Sequence, residues 1–291
     1  MAAEMVGIYG GGPLYTGGQS VIDDLRVSGF TTIIAWAVHV SSTGDLSFND
    51  TQIISNGEYV GDPAWPSLLA GLQSAPTSVN RLLFSIGGWG VSDFENIQQL
   101  MQSQGTGPDS ILYRNFQTLK TTVPIAEAID FDDESLYDQA TTVGFSMLLH
   151  QLGFHVTFCP YLDPDFWTAC LKKLNTTVPG LVEAFNLQCY AGGSGNTPGP
   201  WIAAVQKAMG PDFDAAGFVY PGLWCSNGDA CQEGQCPDSI ESTIASWSDT
   251  HIQGGWIWLL DDVYKCENSG VCSGPMGTAA YAQAIATGLG G

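Results

Sequence analysis

The chain predicts an α/β fold in which a single (β/α)8 TIM barrel, with long loops on its C-terminal face, takes up residues 1–291. Three observations carry that expectation. Short β-branched or aromatic runs alternate with helical patterns eight times over, and strands alternating with helices make a parallel sheet. At 291 residues the chain suits one large barrel or two ordinary domains, and no linker, charge block or low-complexity tract divides it. An open doubly wound sheet lacks support, because Gly10-Gly11-Gly12-Pro13 after the first run leads into a loop and not a G-x-G-x-x-G turn. Closure into a barrel is then the natural solution.

The strand runs are 6–10, 31–38, 81–86, 128–132, 155–160, 185–190, 215–220 and 255–260. Between and after them lie helical patterns at 19–28, 64–73, 109–122, 135–152, 165–174, 200–209, 238–248 and an Ala-rich 275–287. Ser135 opens the long amphipathic run after the fourth strand, and Asp238 stands three residues before Glu241, both as helix capping expects. Long connections at 39–62 and 222–237 follow strands, whereas helix-to-strand junctions are short. In a barrel such loops crowd the C-terminal face, where active sites sit.

Hydrophobic residues make up 44% of the chain and charged ones 13%, which leaves ample apolar surface for a large core. Apolar stretches such as 31–40 and 255–260 are strand-sized, well short of a membrane span. Residues 1–4 lead almost directly into the first strand, which reads as a processed or re-engineered start and not as a signal peptide. With 8 Lys+Arg against 29 Asp+Glu the net charge is −21. Such a surface repels nucleic acid and anionic membranes, so neither is expected as a partner. An uncharged substrate tolerates it.

Of eight cysteines, Cys225, Cys231 and Cys236 share one Gly/Asn-rich segment, and Cys266 and Cys272 flank another. Close spacing in turn-rich segments favours local disulfides: Cys266 with Cys272, and two of the other three with each other. Disulfides imply an oxidising compartment, hence a secreted protein. The histidines (His39, His150, His155, His251) are scattered, so no metal and no cofactor is expected. Asn49-Asp50-Thr51 and Asn175-Thr176-Thr177 fit the glycosylation pattern.

The chemistry concentrates in Glu127-Ala128-Ile129-Asp130-Phe131-Asp132-Asp133-Glu134. Strand side chains alternate faces, so Asp130, Asp132 and Glu134 form one column. Stacked carboxylates repel, and stability alone gives no reason to build them. Interacting acids cannot all ionise together, so at least one keeps a raised pKa, which suits a general acid. A solvated strand end and a calcium site are the other readings of such a row. Further motifs converge on the same rim. Ser85-Ile86-Gly87-Gly88 closes the third strand with glycines that permit close backbone approach. Gln188-Cys189-Tyr190 closes the sixth, with Gln188 and Tyr190 on one face. Trp256 and Trp258 share a face of the last strand, either as core packing or as a platform for a sugar's apolar face.

This ordered set resembles glycoside hydrolase family 18, the chitinase family, over about residues 6–262. The family's D-x-x-D-x-D-x-E reads here E-A-I-D-F-D-D-E. Its S-x-G-G is matched at Ser85–Gly88, its Q-x-Y at Gln188 and Tyr190, its last-strand tryptophan at Trp258 and its first-strand tyrosine at Tyr9. Two positions depart: the first acid is Glu127 followed by Ala128, and Ala191 replaces the Asn that often follows the sixth-strand Tyr. In the family that first acid supports the strand and is not the proton donor.

The resemblance implies a monomeric, secreted hydrolase acting within β-1,4-linked N-acetylglucosamine polymers (chitin). It retains configuration by letting the substrate's acetamido group act as nucleophile, an exception to the two-carboxylate scheme. Glu134 would be the acid, and Asp132 would hold the acetamido N–H. Asp130 would share a proton beneath it, and Tyr190 would bind the acetamido oxygen. Tyr9, Gln188, Trp258, Trp89 and Tyr161 would contact sugar. Two alternatives remain in the same fold. An endo-β-N-acetylglucosaminidase would cut N-glycan chitobiose cores by the same chemistry, with loops 39–62 and 191–199 shaping either kind of cleft. A catalytically silent glycan-binding protein would usually lack the terminal acid, which is present as Glu134.

Overall fold

In a computed structural model, residues 5–226 and 230–290 are described; the short start at 1–4 lies outside them. β1 (Met5–Gly10) and β2 (Thr32–Val40) precede a small antiparallel excursion of β3 (Leu46–Phe48), β4 (Thr51–Ser55) and β5 (Glu58–Tyr59). β6 (Arg81–Gly87), β7 (Ala126–Asp132), β8 (His155–Phe158), β9 (Val182–Gln188), β10 (Val219–Trp224) and β11 (Gly254–Trp258) follow. The order β1-β11-β10-β9-β8-β7-β6-β2 is closed by parallel pairing of β1 with β2, Gly7 opposite Thr32 and Gly10 opposite Ala35. The result is the expected (β/α)8 barrel.

Helices surround it. They are α1 (Gly12–Thr16), α2 (Gly18–Val27), α3 (Trp65–Gly71), α4 (Asp93–Gln104), α5 (Ile111–Thr122) and α6 (Gln139–Gln151). The second half supplies α7 (Pro164–Thr177), α8 (Pro198–Met209), α9 (Pro237–Ala245), α10 (Leu260–Cys266) and α11 (Thr278–Gly288). The alternation of β7 shows how the layers arise. Ile129 and Phe131 join the large apolar layer between strands and helices, while Ala128 joins the inner cluster of Tyr9, Ile34, Leu83, Tyr190 and Trp256.

Several local expectations are corrected. The seventh barrel strand is Val219–Trp224, not 215–220. Pro221 and Gly222 read as strand breakers, yet a Cβ at Gly222 would lie 2.1 Å from the Trp256 ring, so the strand needs glycine to seat that indole. Ser135 caps no helix: its N–H donates to Asp133, and α6 starts later, capped by Asp138 accepting from the Thr141 N–H at 2.8 Å. Asp238 lies inside the first turn of α9, whose N-cap is Cys236 and whose start is set by Pro237. The stretch 39–62 is no open loop, since Val38 and Val40 pair with Phe48 and Leu46.

The disulfides also differ from the expected pairing. Cys231 bonds Cys266 and Cys236 bonds Cys272, while Cys225 is a buried free thiol. β10 and β11 are neighbours, so the segments following them lie side by side, and each bond ties one to the other. Each closes a loop of 35 or 36 residues, for which loop-closure entropy gives on the order of 3–4 kcal/mol. At the opposite end of the barrel Arg81 pairs with Glu127 at 3.3 Å and with Glu183, which His155 also meets at 3.1 Å. Glu127 therefore fastens the base of β7 to β6 and stands apart from the acid column. No helix of the described residues is long and apolar enough to cross a membrane.

Candidate active site

Asp130 and Asp132 project from β7 into the barrel, 0% and 1% exposed, and Glu134 follows just past the strand end, half-buried. Four neutral groups from four strands converge on Asp130. Tyr9 Oη and Ser85 Oγ donate to one oxygen, each at 2.8 Å; Thr157 Oγ1 and Asn186 Nδ2 donate to the other at 2.6 and 2.9 Å. Burial pushes the Asp130 pKa up, and these hydrogen bonds oppose it. Gln188 Nε2 donates to Asp132 Oδ1 at 2.9 Å, and hydrogen bonding to the Trp36 and Cys159 side chains also favours the Asp132 anion. Burial drives its pKa well above the ordinary range, and the charges of Glu134 and Asp130 raise it further. Burial also raises Glu134, opposed by hydrogen bonding to Gln188, at 3.4 Å, and to Asp132.

Both oxygens of Asp130 are already taken by donors, and it is Glu134, not Asp130, that lies within hydrogen-bonding reach of Asp132. The S-x-G-G segment explains how the backbone reaches this geometry. Gly88 N–H donates to the Asp132 carbonyl at 2.8 Å, and a Cβ at Gly87, φ +105°, would lie 2.2 Å from that same carbonyl oxygen. Only glycine permits so close an approach.

Above the acids opens a cavity of about 590 Å³. Asp132, Glu134 and Gln188 line it together with Trp36, Trp89, Tyr161, Tyr190, Trp224 and Trp258. Tyr190 lies between two indoles, stacked on Trp224 at 5.7 Å and on Trp258 at 5.8 Å, and Trp36 meets Trp258 edge-on at 4.8 Å. Burial keeps the Tyr190 phenol protonated by pushing its pKa far up. An aromatic wall beside a buried acid pair suits a ligand with apolar faces and polar edges. Among the described residues no group of three or more His, Cys, Asp or Glu side chains is arranged to hold a metal ion.

Seven of the nine expected site residues line the cavity, and the other two, Asp130 and Tyr9, lie outside its lining. Tyr9 is fully buried, and its hydroxyl donates to Asp130. Gln188 lines the cavity but spends its amide on Asp132, Glu134 and the Cys159 carbonyl. Trp256, offered as a possible platform, is the buried core residue, its Nε1 donating to the Tyr220 carbonyl.

The sequence reading missed Trp36, Trp224, Thr157 and Asn186. The last two carry the signal of parity: Asn186 is two residues before Gln188 on one strand, and Thr157 sits mid-strand in β8. Trp224 was hidden by the misplaced seventh strand. Trp36 stands in β2 two residues beyond inward-facing Ile34, and its hydrogen bonding with Asp132 opposes the rise of that acid's pKa.

No protein-family model matches the sequence, and no curated protein does. Solved structures do match in shape. A GH18 chitinase from Pseudoalteromonas aurantia superposes with a TM-score of 0.64 at 12% identity, covering 97% of this chain and 99% of that one. A plant class V chitinase mutant from Cycas revoluta, in complex with (GlcNAc)3, gives 0.61 at 10% identity over 96% and 98%. The fold is that of the GH18 chitinases. The same chitinase fold is shared by a chitinase-like agglutinin from Robinia pseudoacacia, at 0.59 and 12% identity over 96% and 99%. Shape alone thus spans hydrolases and a lectin, and function must be argued from the site.

Proposed function

We propose that this chain is a retaining glycoside hydrolase that cleaves β-1,4 linkages inside N-acetylglucosamine polymers, residues 1–291 forming one catalytic domain. The observation that carries the reading is the Asp132–Glu134 pair, both acids raised, placed at the floor of an aromatic cavity. Structural stability offers no reason for such a pair; a proton that must be delivered does.

Glu134, at the mouth, protonates the glycosidic oxygen as the bond to the anomeric carbon breaks. The acetamido oxygen of the same sugar attacks that carbon, giving an oxazolinium ion, so no enzyme nucleophile is needed. Asp132, left as the anion once Glu134 keeps the shared proton, accepts the acetamido N–H and stabilises the positive ring. Tyr190, held protonated, donates to the acetamido oxygen, and Trp258 floors the sugar. Gln188 spaces the two acids, and Asp130 with its four donors anchors the column from below. Water then adds to the anomeric carbon as its bond to the acetamido oxygen breaks, which restores the acetamide, and the water returns a proton to Glu134. Trp89, 86% exposed at the cavity edge, and Tyr161 line the run of neighbouring sugars.

The two disulfides support a secreted protein, and a monomer needing no cofactor fits this chemistry. A silent lectin is disfavoured because Glu134 is retained. The test is a substrate panel. The protein should release reducing ends from chitin oligomers and ignore cello-oligomers and fully deacetylated chitosan, which lack the internal nucleophile. A thiazoline mimic of the intermediate should inhibit it. Equal cleavage of cello-oligomers would overturn the mechanism, and preference for a high-mannose glycoprotein would move the substrate to N-glycan cores.

A further inference from the structure

Asp133 takes part in none of these steps, although it stands between the two acids that do. It is 1% exposed and accepts from three successive backbone N–H groups: Ser135 at 3.1 Å, Leu136 at 2.9 Å and Tyr137 at 3.2 Å. A carboxylate gathering three consecutive amides dictates the turn they belong to. The turn is one the chain would not adopt unaided, since Tyr137 has φ +47°, a left-handed conformation unfavourable for a bulky residue. On the far side, the Tyr137 ring meets Phe166 and Trp167 of α7 edge-on at 5.3 and 5.9 Å. Before Asp133, the Asp132 carbonyl is tied to Gly88. Glu134 thus sits on a span fastened at both ends.

We propose that Asp133 is a positioning residue: by holding the 135–137 turn, its carboxylate keeps Glu134 in the barrel mouth within reach of Gln188 and Asp132. Its kinetic consequence rests on the function proposed above. Its geometric consequence does not. Two like charges face Asp133: Glu95 of α4, whose Oε2 is itself buried without a partner among the described residues, and Glu134, whose pKa the Asp133 charge helps to raise. Asp133 is therefore retained as an acceptor despite the like charges beside it, which the three amides explain.

The test compares Asp133→Ala and Asp133→Asn with the parent protein. The Glu134 carboxyl is followed by 13C NMR in ligand-free, glutamate-labelled protein, its signal assigned by loss in Glu134→Gln. Both variants delete the Asp133 charge, which lowers the Glu134 titration alike in each, so displacement of Glu134 from its buried seat is read as a titration lower in Asp133→Ala than in Asp133→Asn, toward the ordinary value of about 4.3. Turnover of a chitin oligomer should fall about 10- to 100-fold with KM nearly unchanged, the signature of a misplaced catalytic group. Asp133→Asn keeps the shape and one acceptor oxygen, so its effects should be intermediate; it carries the test if the alanine variant does not fold. Equal Glu134 titration in the two folded variants overturns the proposal, as does, for Asp133→Asn alone, unchanged turnover or a loss of turnover matched by a loss of folded protein. If the parent protein cleaves no acetamido sugar, the proposed function falls while the Glu134 titration still decides the role of Asp133.

Discussion

The two ends of the barrel handle carboxylates in opposite ways. At the N-terminal end Glu127 and Glu183 share Arg81 near solvent, and His155 adds a further partner. At the C-terminal end Asp130, Asp132 and Glu134 sit in or near the barrel interior, and among the described residues no Lys or Arg forms an ion pair with them. The lower acids meet a cation and serve as fasteners. The upper acids meet hydroxyls and amides with no cation beside them, and burial raises their pKa values. One residue type yields a clasp or an acid according to whether a cation accompanies it into the fold.

The strongest way to break this contrast is Glu134→Gln. It keeps the shape and the Gln188 neighbour but removes the transferable proton. Hydrolysis should fall at least about 10²–10⁴-fold, the usual contribution of a general acid, with the circular dichroism spectrum unchanged. Activity within a few-fold of the parent would place the acid elsewhere.

Asp132→Asn probes the same end in two currents, rate and stability. Turnover should drop about 10²–10³-fold with oligomer binding retained, because the anion matters most as the ring becomes positive. Stability should move the other way. A carboxyl whose folded pKa is raised binds its proton more tightly in the folded state. It favours folding below the unfolded value of about 3.9 and loses that advantage as pH climbs toward the folded one. Asp132→Asn should therefore melt higher than the parent at neutral pH, the gap closing on acidification to about pH 4. A gap that persists or widens in acid contradicts the assigned shift.

Arg81→Gln addresses the lower end and should have the smallest effect. It removes a partly exposed clasp, so stability should fall by about 1 kcal/mol or less in urea melts, and chitin-oligomer turnover should stay within about two-fold of the parent. A collapse in turnover would show that the two ends are not independent.

Much of this site was legible because strand parity is a local rule. The column Asp130, Asp132, Glu134 and the pair Gln188, Tyr190 follow from counting by two, and the barrel follows from eight such counts. What parity cannot show is which distant strands become neighbours. Thr157 and Asn186 look like ordinary strand polars until they meet at Asp130, and Cys231 finds Cys266 only because β10 and β11 are adjacent. α4 escaped notice because its buried side, Phe94, Ile97 and Leu100, is sparse within a polar run. Gly222 gave a true local signal with the wrong consequence. It marks close packing by Trp256 rather than the end of a strand.

The donors around Asp130 divide evenly along the chain, Tyr9 and Ser85 from the part before β7, Thr157 and Asn186 from the part after it. A chain severed just before β7 would leave one fragment with two orphaned hydroxyls and the other with an anion half supplied. Neither piece could bury its share comfortably alone, and joining them would satisfy both at once. The carboxyl under the candidate site is thus also the seam along which two half-barrels would recognise each other, so that complementation of fragments and recovery of the acid column become a single event.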